Sequence, residues 1–378
     1  MVSKKSVVML MASDIDRQAF KCAAKTALIP PMMLFILACL ACLALGGCGD
    51  TTASLNSNET LVPTNRLAEF ETRPSADRVA AIEVVDYLDR KVQLLKPAQR
   101  IVALSPHIVE NLYSAGLGQR IVAAVDYADY PAAALNIPRI GGHSNFSVES
   151  IVAYQPDLVV GWASGYKGFG QLVARLEQLG IPVYADDPRV LSDITRSISD
   201  LAVLGDTAST VSPALRGFTE RLARLREQYS ANGLPAVPLF YQIWPDPLQT
   251  LNGDHLVSAA IELCSGKNIF ADAVALAPVV NIESVLAYNP EIIIASSSDH
   301  QEPLWLDDWQ QWPAIRAVIN RQVYFIPGDW MSRHTLRVAQ GVALLCEYID
   351  NARRIRDSTQ KNTAAHRVSS SVKRVLEP

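Results

Sequence analysis

From Arg100 onward, short unbroken aliphatic runs alternate with longer stretches whose apolar residues return every three or four positions. The runs at 101–104, 121–125, 158–160 and 181–184 show no polar alternation, so they predict strands of a parallel sheet covered on both faces. The stretch 190–205 places Leu191, Ile194, Ile198, Leu201 and Leu204 on one helical face and stops at Gly205, a helix-ending residue type. A second helix follows at once, with Val211, Leu215, Phe218, Leu222, Leu225 and Tyr229 spaced alternately by four and three, before Asn232-Gly233-Leu234-Pro235 breaks it. The pattern then restarts with a strand at 237–242, a helix at 256–264, a strand at 323–326 and a helix at 335–351. Ahead of the first round, 82–94 reads as a hairpin in which apolar positions flank a polar turn. Beyond Arg353 the chain is polar and charged without apolar rhythm, which predicts disorder over 354–378.

One unit occurs in both rounds. Ser147-Val148-Glu149-Ser150-Ile151-Val152-Ala153-Tyr154 leads through Gln155-Pro156-Asp157 into the run at 158–160, and Ile282-Glu283-Ser284-Val285-Leu286-Ala287-Tyr288 leads through Asn289-Pro290-Glu291 into another aliphatic run. Repeated units build repeated architecture, and two copies this far apart are too few for a solenoid. The expectation is an α/β fold: two similar lobes with mostly parallel sheets, at 99–206 and 235–353, joined by one long rigid helix within 207–234, with the ligand cleft between them.

The first 47 residues differ from the rest. Basic residues through Lys25 precede an uncharged run at 26–47 that ends Leu45-Gly46-Gly47-Cys48. Charge order and length predict an export signal over 1–47. The ending resembles the bacterial lipobox, which makes Cys48 the lipidated residue; a transmembrane anchor is the competing reading, since about 20 apolar residues span a bilayer. Residues 48–98 then comprise a polar tether and the leading hairpin. The formal charge of −4 lacks the clustered basic face that nucleic acid requires. Removing 1–47 takes away five Lys/Arg and two Asp, so the exported part is more acidic, at about −7. Of six cysteines, Cys22, Cys39 and Cys42 leave with the signal and Cys48 carries lipid, so Cys264 and Cys346 remain. Two thiols in an oxidising compartment suggest one disulfide, with two buried free cysteines as the alternative.

In each repeat a capping residue, Ser147 or Asn281, stands two places before the glutamate, which puts Glu149 and Glu283 in the first turn of a helix. The helix dipole favours a carboxylate there by a few tenths to about 1 kcal/mol. That accounts for either glutamate alone but not for the matched, exposed pair.

Over about 83–351 the chain resembles the substrate-binding lipoproteins of ABC importers for vitamin B12, haem and ferric siderophores, and most closely those that bind vitamin B12. The carriers are Arg100 through Pro106, Tyr127-Ala128-Asp129-Tyr130-Pro131, the two glutamate units, 242–248, 263–270 and Gly328-Asp329-Trp330. The resemblance implies a periplasmic, lipid-anchored, monomeric binding protein with no catalytic residues and no resident cofactor. A corrinoid, cobalamin, would be its cargo, and an ABC permease with its ATPase subunits its partner. It assigns Glu149 and Glu283 to docking on permease arginines, and it matches Cys264 and Cys346 to a disulfide.

A corrin is a broad, largely apolar ring edged with amides, so its site needs aromatic faces and a few fixed polar groups. The resemblance carries over Tyr127, Trp162, Asp329 and Arg333. Trp244 follows only from its place after the strand at 237–242, and Trp330 from its place beside Asp329. Six residues before each glutamate, where the B12-binding pattern has tryptophan, stand His143 and Ala277. His143 could hydrogen-bond an amide, ligate a metal, or simply face solvent. Haem, with His143 or Tyr127 as axial ligand, is therefore the alternative cargo. A ferric siderophore is a third, thinly served by Arg333 and Arg139. Bare Zn²⁺ or Mn²⁺ is disfavoured, because His107, His143, His255, His300 and His334 lack ligand spacing. An exported enzyme is the competing class, but no Gly-x-Ser-x-Gly elbow, His-Glu-x-x-His or phosphate-binding glycine loop is present, and Asp186-Asp187 and Asp307-Asp308 read as solvated turns.

Overall fold

A computed structural model describes residues 81–142, 145–230, 233–297 and 301–376, with side chains described as far as residue 361. The signal, Cys48, the tether before residue 81, and His143 lie outside the described residues.

The aliphatic runs form two parallel four-stranded sheets. In the first lobe β3 (Ile101–Ala103), β4 (Ile121–Ala124), β5 (Leu158–Trp162) and β6 (Val183–Asp186) pair in the order β4-β3-β5-β6. In the second, β7 (Val237–Gln242), β10 (Gly266–Asn268), β11 (Ile292–Ala295) and β12 (Val323–Phe325) pair in the order β10-β7-β11-β12, with the short pair β8 (Trp244–Pro245) and β9 (Leu248–Gln249) after β7 and the one-turn α8 (Arg316–Ile319) before β12. Both sheets thus follow one scheme. The second strand lies on one side of the first, and the chain then crosses to the other side. The crossing helix is the repeated unit in each case, α2 (Val148–Val152) before β5 and α7 (Ile282–Tyr288) before β11. The sequence repeat is therefore a repeat of topology.

Right-handed crossovers that reverse direction in this way put helices on both faces of each sheet. That divides the packing into three hydrophobic clusters. One, with Val159, Val183, Phe169 and Leu176, includes α3 (Phe169–Gln178) and covers the outer face of the first sheet. Another, with Phe240, Val285, Ile293 and Trp309, covers the outer face of the second. The third is shared, running from Ile108, Leu112 and Leu201 of the first lobe to Leu239, Val257 and Val342 of the second. Both lobes lie in one compact unit, Thr72–Pro378.

The predicted connector is α5 (Ala208–Gln228), which follows α4 (Leu191–Leu204) after a three-residue break. Its expected stripe is the one observed: Val211 and Phe218 are buried, and Leu215, Leu222, Leu225 and Tyr229 pack on the shared cluster. The hairpin pairs β1 (Ile82–Val85) with β2 (Lys91–Leu94), and Val84, Val92 and Leu94 enter the same cluster. In the second lobe α6 (Leu256–Leu263) and α10 (Val338–Leu376) are bridged by the disulfide Cys264–Cys346, which spans 82 residues of sequence.

One expectation is corrected. Residues 354–376 are helical, continuing α10, where their composition predicted disorder. Missing apolar rhythm signals only that no face is buried. Arginine, lysine, glutamine and alanine are strong helix formers, and neither proline nor glycine occurs between Val342 and Leu376 to stop a helix already nucleated on the core. Arg356 helps hold its start, donating to the carbonyls of Pro235 (2.9 Å) and Ala236 (3.4 Å). Among the described residues no helix is long and apolar enough to cross a membrane.

Candidate functional site

In open parallel sheets ligands bind beyond the carboxyl ends of the strands, beside the point where the strand order reverses. In the first lobe that point lies between β3 and β5. Leu104 and Ser105 leave β3, Asp126 and Tyr127 follow β4, and Trp162 ends β5. Together with Tyr166 these residues line a cavity of about 240 Å³. Tyr127 is 75% exposed and sits at φ 64°, a left-handed conformation that costs a non-glycine residue roughly 1–2 kcal/mol. The chain around it is pinned by arginines: Arg333 Nη2 donates to the Tyr127 carbonyl (3.3 Å), and Arg139 Nη2 donates to those of Ala128 (2.7 Å) and Ala134 (2.9 Å).

Trp162 is held from behind by histidines. Its ring meets His107 edge-on at 5.2 Å and His334 at 5.7 Å, and His334 also lies 5.4 Å from His107 and 5.7 Å from His255. His107 belongs to α1 (Pro106–Ser114) of the first lobe, whereas His255 and His334 come from the second, so this stack crosses the lobe boundary. Burial pushes His255 down to about 4, and burial with the neighbouring imidazoles His107 and His255 holds His334 well below the ordinary histidine range. His107 Nδ1 meets Ser105 Oγ at 2.7 Å and Nε2 meets Asp186 Oδ2 at 3.2 Å. Asp186 also accepts from Ser197 Oγ at 2.5 Å. The expectation of a solvated Asp186-Asp187 turn is therefore corrected for Asp186. It ends β6 and faces the buried histidine, while Asp187, beyond the strand and partly exposed, pairs with Arg189.

A second interlobe network is ionic. Asp329 lies in α9 (Gly328–Met331), and Arg333 and Arg337 follow it at intervals of four. Arg333 binds Asp329 through Nε (2.9 Å), and through Nη1 it binds Glu110 (3.0 Å) and Asp129 (2.6 Å) of the other lobe. Arg337 clasps Glu110 with Nε (2.8 Å) and Nη2 (2.6 Å), and its guanidinium lies 4.0 Å from the centroid of the Tyr130 ring. Asn111 Nδ2 adds a bond to the His334 carbonyl (3.0 Å).

The structure thus joins Tyr127, Trp162, Asp329 and Arg333 at one lobe boundary. Trp330 packs against the shared core. Trp244 stands on β8 (Trp244–Pro245), half exposed, with its indole donating to the Asp246 carbonyl (2.9 Å). Sequence reasoning missed Glu110, Asp129 and Arg337, although the Asp329, Arg333, Arg337 spacing was a signal. It also missed a second cavity of about 240 Å³ in the second lobe, lined by Gln242, Pro245, Ile282, Trp305, Trp309 and Trp312, in which Trp309 Nε1 donates to Gln242 Oε1 (2.8 Å). A larger cavity, about 870 Å³ between α4, α5 and α6, contains none of the candidate residues. Among the described residues no cluster of His, Cys, Asp or Glu is arranged to hold a metal ion.

Glu149 and Glu283 are exposed at the second helical position of α2 and α7. The expected caps are present, Ser147 Oγ accepting from Ser150 N (3.1 Å) and Asn281 Oδ1 from Ser284 N (2.8 Å). The backbone N–H of Glu149 and the Ser147 hydroxyl lower its carboxyl below the ordinary range.

Residues 101–330 match the family described as periplasmic binding protein. The chain belongs to that family. It is 35% identical over 263 residues to the vitamin B12-binding protein of Vibrio cholerae, covering 68% of this chain and 91% of that protein. The vitamin B12-binding protein of Yersinia pestis is 30% identical over 272 residues, covering 71% of this chain and 92% of that protein. The crystal structure of the periplasmic vitamin B12 binding protein BtuF of Vibrio cholerae aligns with a TM-score of 0.62 at 35% identity, over 68% of this chain and 98% of that one. The periplasmic haem-binding protein RhuT of Roseiflexus aligns with a TM-score of 0.58 at 21% identity, over 68% of this chain and 99% of that one, a likeness of fold alone. The family relatives are binding proteins, and the two-lobed α/β architecture is theirs.

Proposed function

We propose that this protein is the substrate-binding component of an ABC importer, that it captures a corrinoid, cobalamin, between its lobes, and that it delivers the cargo to the membrane permease. The observation that carries this reading is the wall formed by Tyr127 and Trp162 beside the Arg333 network, in a chain 35% identical to a vitamin B12-binding protein over most of that protein's length. Aromatic faces bury an apolar macrocycle, and fixed polar groups orient its amide fringe. No covalent chemistry is needed. Trp244 would extend the aromatic surface on the opposite lobe, and His143 would serve the ligand through its imidazole.

Glu149 and Glu283 would dock on permease arginines. Two exposed carboxylates on equivalent helices suit a two-fold partner, orienting the binder and speeding encounter. Lipid on Cys48 would tether the protein in the periplasm.

Calorimetry of the purified protein with cyanocobalamin, cobinamide, haemin and a ferric siderophore tests the cargo. Tight binding of cyanocobalamin is expected, and tight binding of haemin alone would overturn the corrinoid reading. Changing both Glu149 and Glu283 to alanine should abolish uptake while calorimetric affinity holds; undiminished uptake refutes the docking role.

A further inference from the structure

The charge balance at the lobe boundary says which corrinoids the cleft can accept. Beside the Tyr127 cavity two guanidiniums, Arg333 and Arg337, face three carboxylates, Glu110, Asp129 and Asp329. A fourth carboxylate, Asp126, lines the cavity itself. Both guanidiniums are already committed. Arg333 divides its donors among Asp329, Glu110, Asp129 and the Tyr127 carbonyl, and Arg337 is clasped to Glu110 beneath the Tyr130 ring. Arg139 donates through Nη2 to two backbone carbonyls and has its Nη1 buried away from the surface, and Arg189, on the far side of Trp162, is paired with Asp187.

An incoming carboxylate would have to displace an acidic partner of Arg333. Glu110 and Asp329 are fixed, at 3% and 9% side-chain exposure, whereas Asp129 is 45% exposed. Burial pushes the Asp129 carboxyl up, but the bond and charge of Arg333 outweigh it and hold the group below its ordinary range, so it remains an anion. A primary amide meets no such conflict. Its N–H groups can donate to Asp129 or Asp126, and its carbonyl carries no net charge to repel them.

We infer that Asp129 is a specificity-determining residue, which makes the cleft select ligands fringed by neutral amides over ligands of the same shape that carry a carboxylate. The inference rests on the corrinoid reading above. The probes are cyanocobalamin and its monocarboxylic acids, in each of which one peripheral amide is hydrolysed. Shape is preserved and one negative charge is added. One like-charge pair at roughly 6 Å in partly hydrated surroundings changes affinity about tenfold.

Calorimetry of the native protein should show at least one monocarboxylate binding about tenfold more weakly than cyanocobalamin. Asp129→Asn should bring that same pair to within about twofold, and Asp129→Glu, which keeps the charge, should preserve the gap. Equal binding of every monocarboxylate and cyanocobalamin by the native protein overturns the inference while leaving the corrinoid reading intact, as does a gap that survives Asp129→Asn. Failure of the native protein to bind any corrinoid overturns the cargo reading, and the inference with it.

Discussion

Glu110 is the residue on which the interlobe contact turns. Its carboxylate, 3% exposed on α1, receives three guanidinium bonds of 2.6–3.0 Å from Arg333 and Arg337, which lie 223 and 227 residues away in sequence. A unit charge pair at about 4 Å is worth on the order of 4 kcal/mol at an effective dielectric constant of 20. Removing one partner of a buried pair costs about 3–5 kcal/mol, because the other charge is left without compensation. Here Asp129 and Asp329 still hold Arg333, whereas Arg337 keeps a 3.6 Å contact with Asp329 and its place over the Tyr130 ring. Glu110→Ala should therefore destabilise the fold by about 3 kcal/mol, the lower end of that range. A double-mutant cycle with Arg337→Met, followed by urea denaturation, should give a coupling energy of about 1.5–3 kcal/mol, changing little with salt because the pair is buried. A coupling below about 0.5 kcal/mol, the size found for independent sites, would refute the claim that this bond ties the lobes.

Acidification should also weaken the fold. His255 is held at about 4, below its ordinary 6.5, so between these values the unfolded chain binds a proton that the folded one does not. Stability must then fall as pH drops from 6.5 towards 4, by up to about 3 kcal/mol from this ring; urea midpoints at pH 7.5, 5.5 and 4.5 test it, and His255→Gln should flatten the slope. Replacing Cys264 and Cys346 by serine opens a loop of 82 residues of sequence separation and should cost about 4 kcal/mol, read from the shift in denaturation midpoint relative to the oxidised protein. Trp162→Ala should weaken cyanocobalamin at least tenfold by calorimetry, and unchanged affinity would remove that ring from the binding wall.

What the sequence revealed and what it concealed follow from packing. The strands of the two four-stranded sheets lie between helices, so most of their runs are unbroken and apolar, and α5 shows its 4-3 stripe because its opposite face meets solvent. The helix α1 has no such contrast. His107 through Leu112 are all buried, between its sheet and the other lobe, so no polar face marks the helical period. The residues that tie the lobes together sit on this unreadable helix, on the loop after β4 and on the Asp329, Arg333, Arg337 series, and no local pattern announces a pairing across more than 200 residues. Asp186 was hidden differently. Two adjacent aspartates look like a solvated turn, but Asp186 is the last residue of the buried strand β6 and meets His107, while Asp187, just past the strand, pairs with Arg189.

The duplicated topology also fixes where the paired glutamates must lie. A helix that connects parallel strands runs antiparallel to them, so its N-terminus returns to the carboxyl end of the sheet. Glu149 and Glu283 occupy the first turns of such helices, α2 and α7. They therefore stand at the end of each sheet where the strands deliver Tyr127, Trp162 and Gln242. A permease that engages both glutamates would sit over the mouth of the cleft, and the lobes beneath it share one hydrophobic cluster, the Glu110 ion network and the histidine stack. Opening them would strip Glu110 of two guanidiniums at a cost of several kcal/mol. Ligand capture should accordingly rely on a preset cleft, where little ordering remains to be done on binding, and release should require the permease to work against that network.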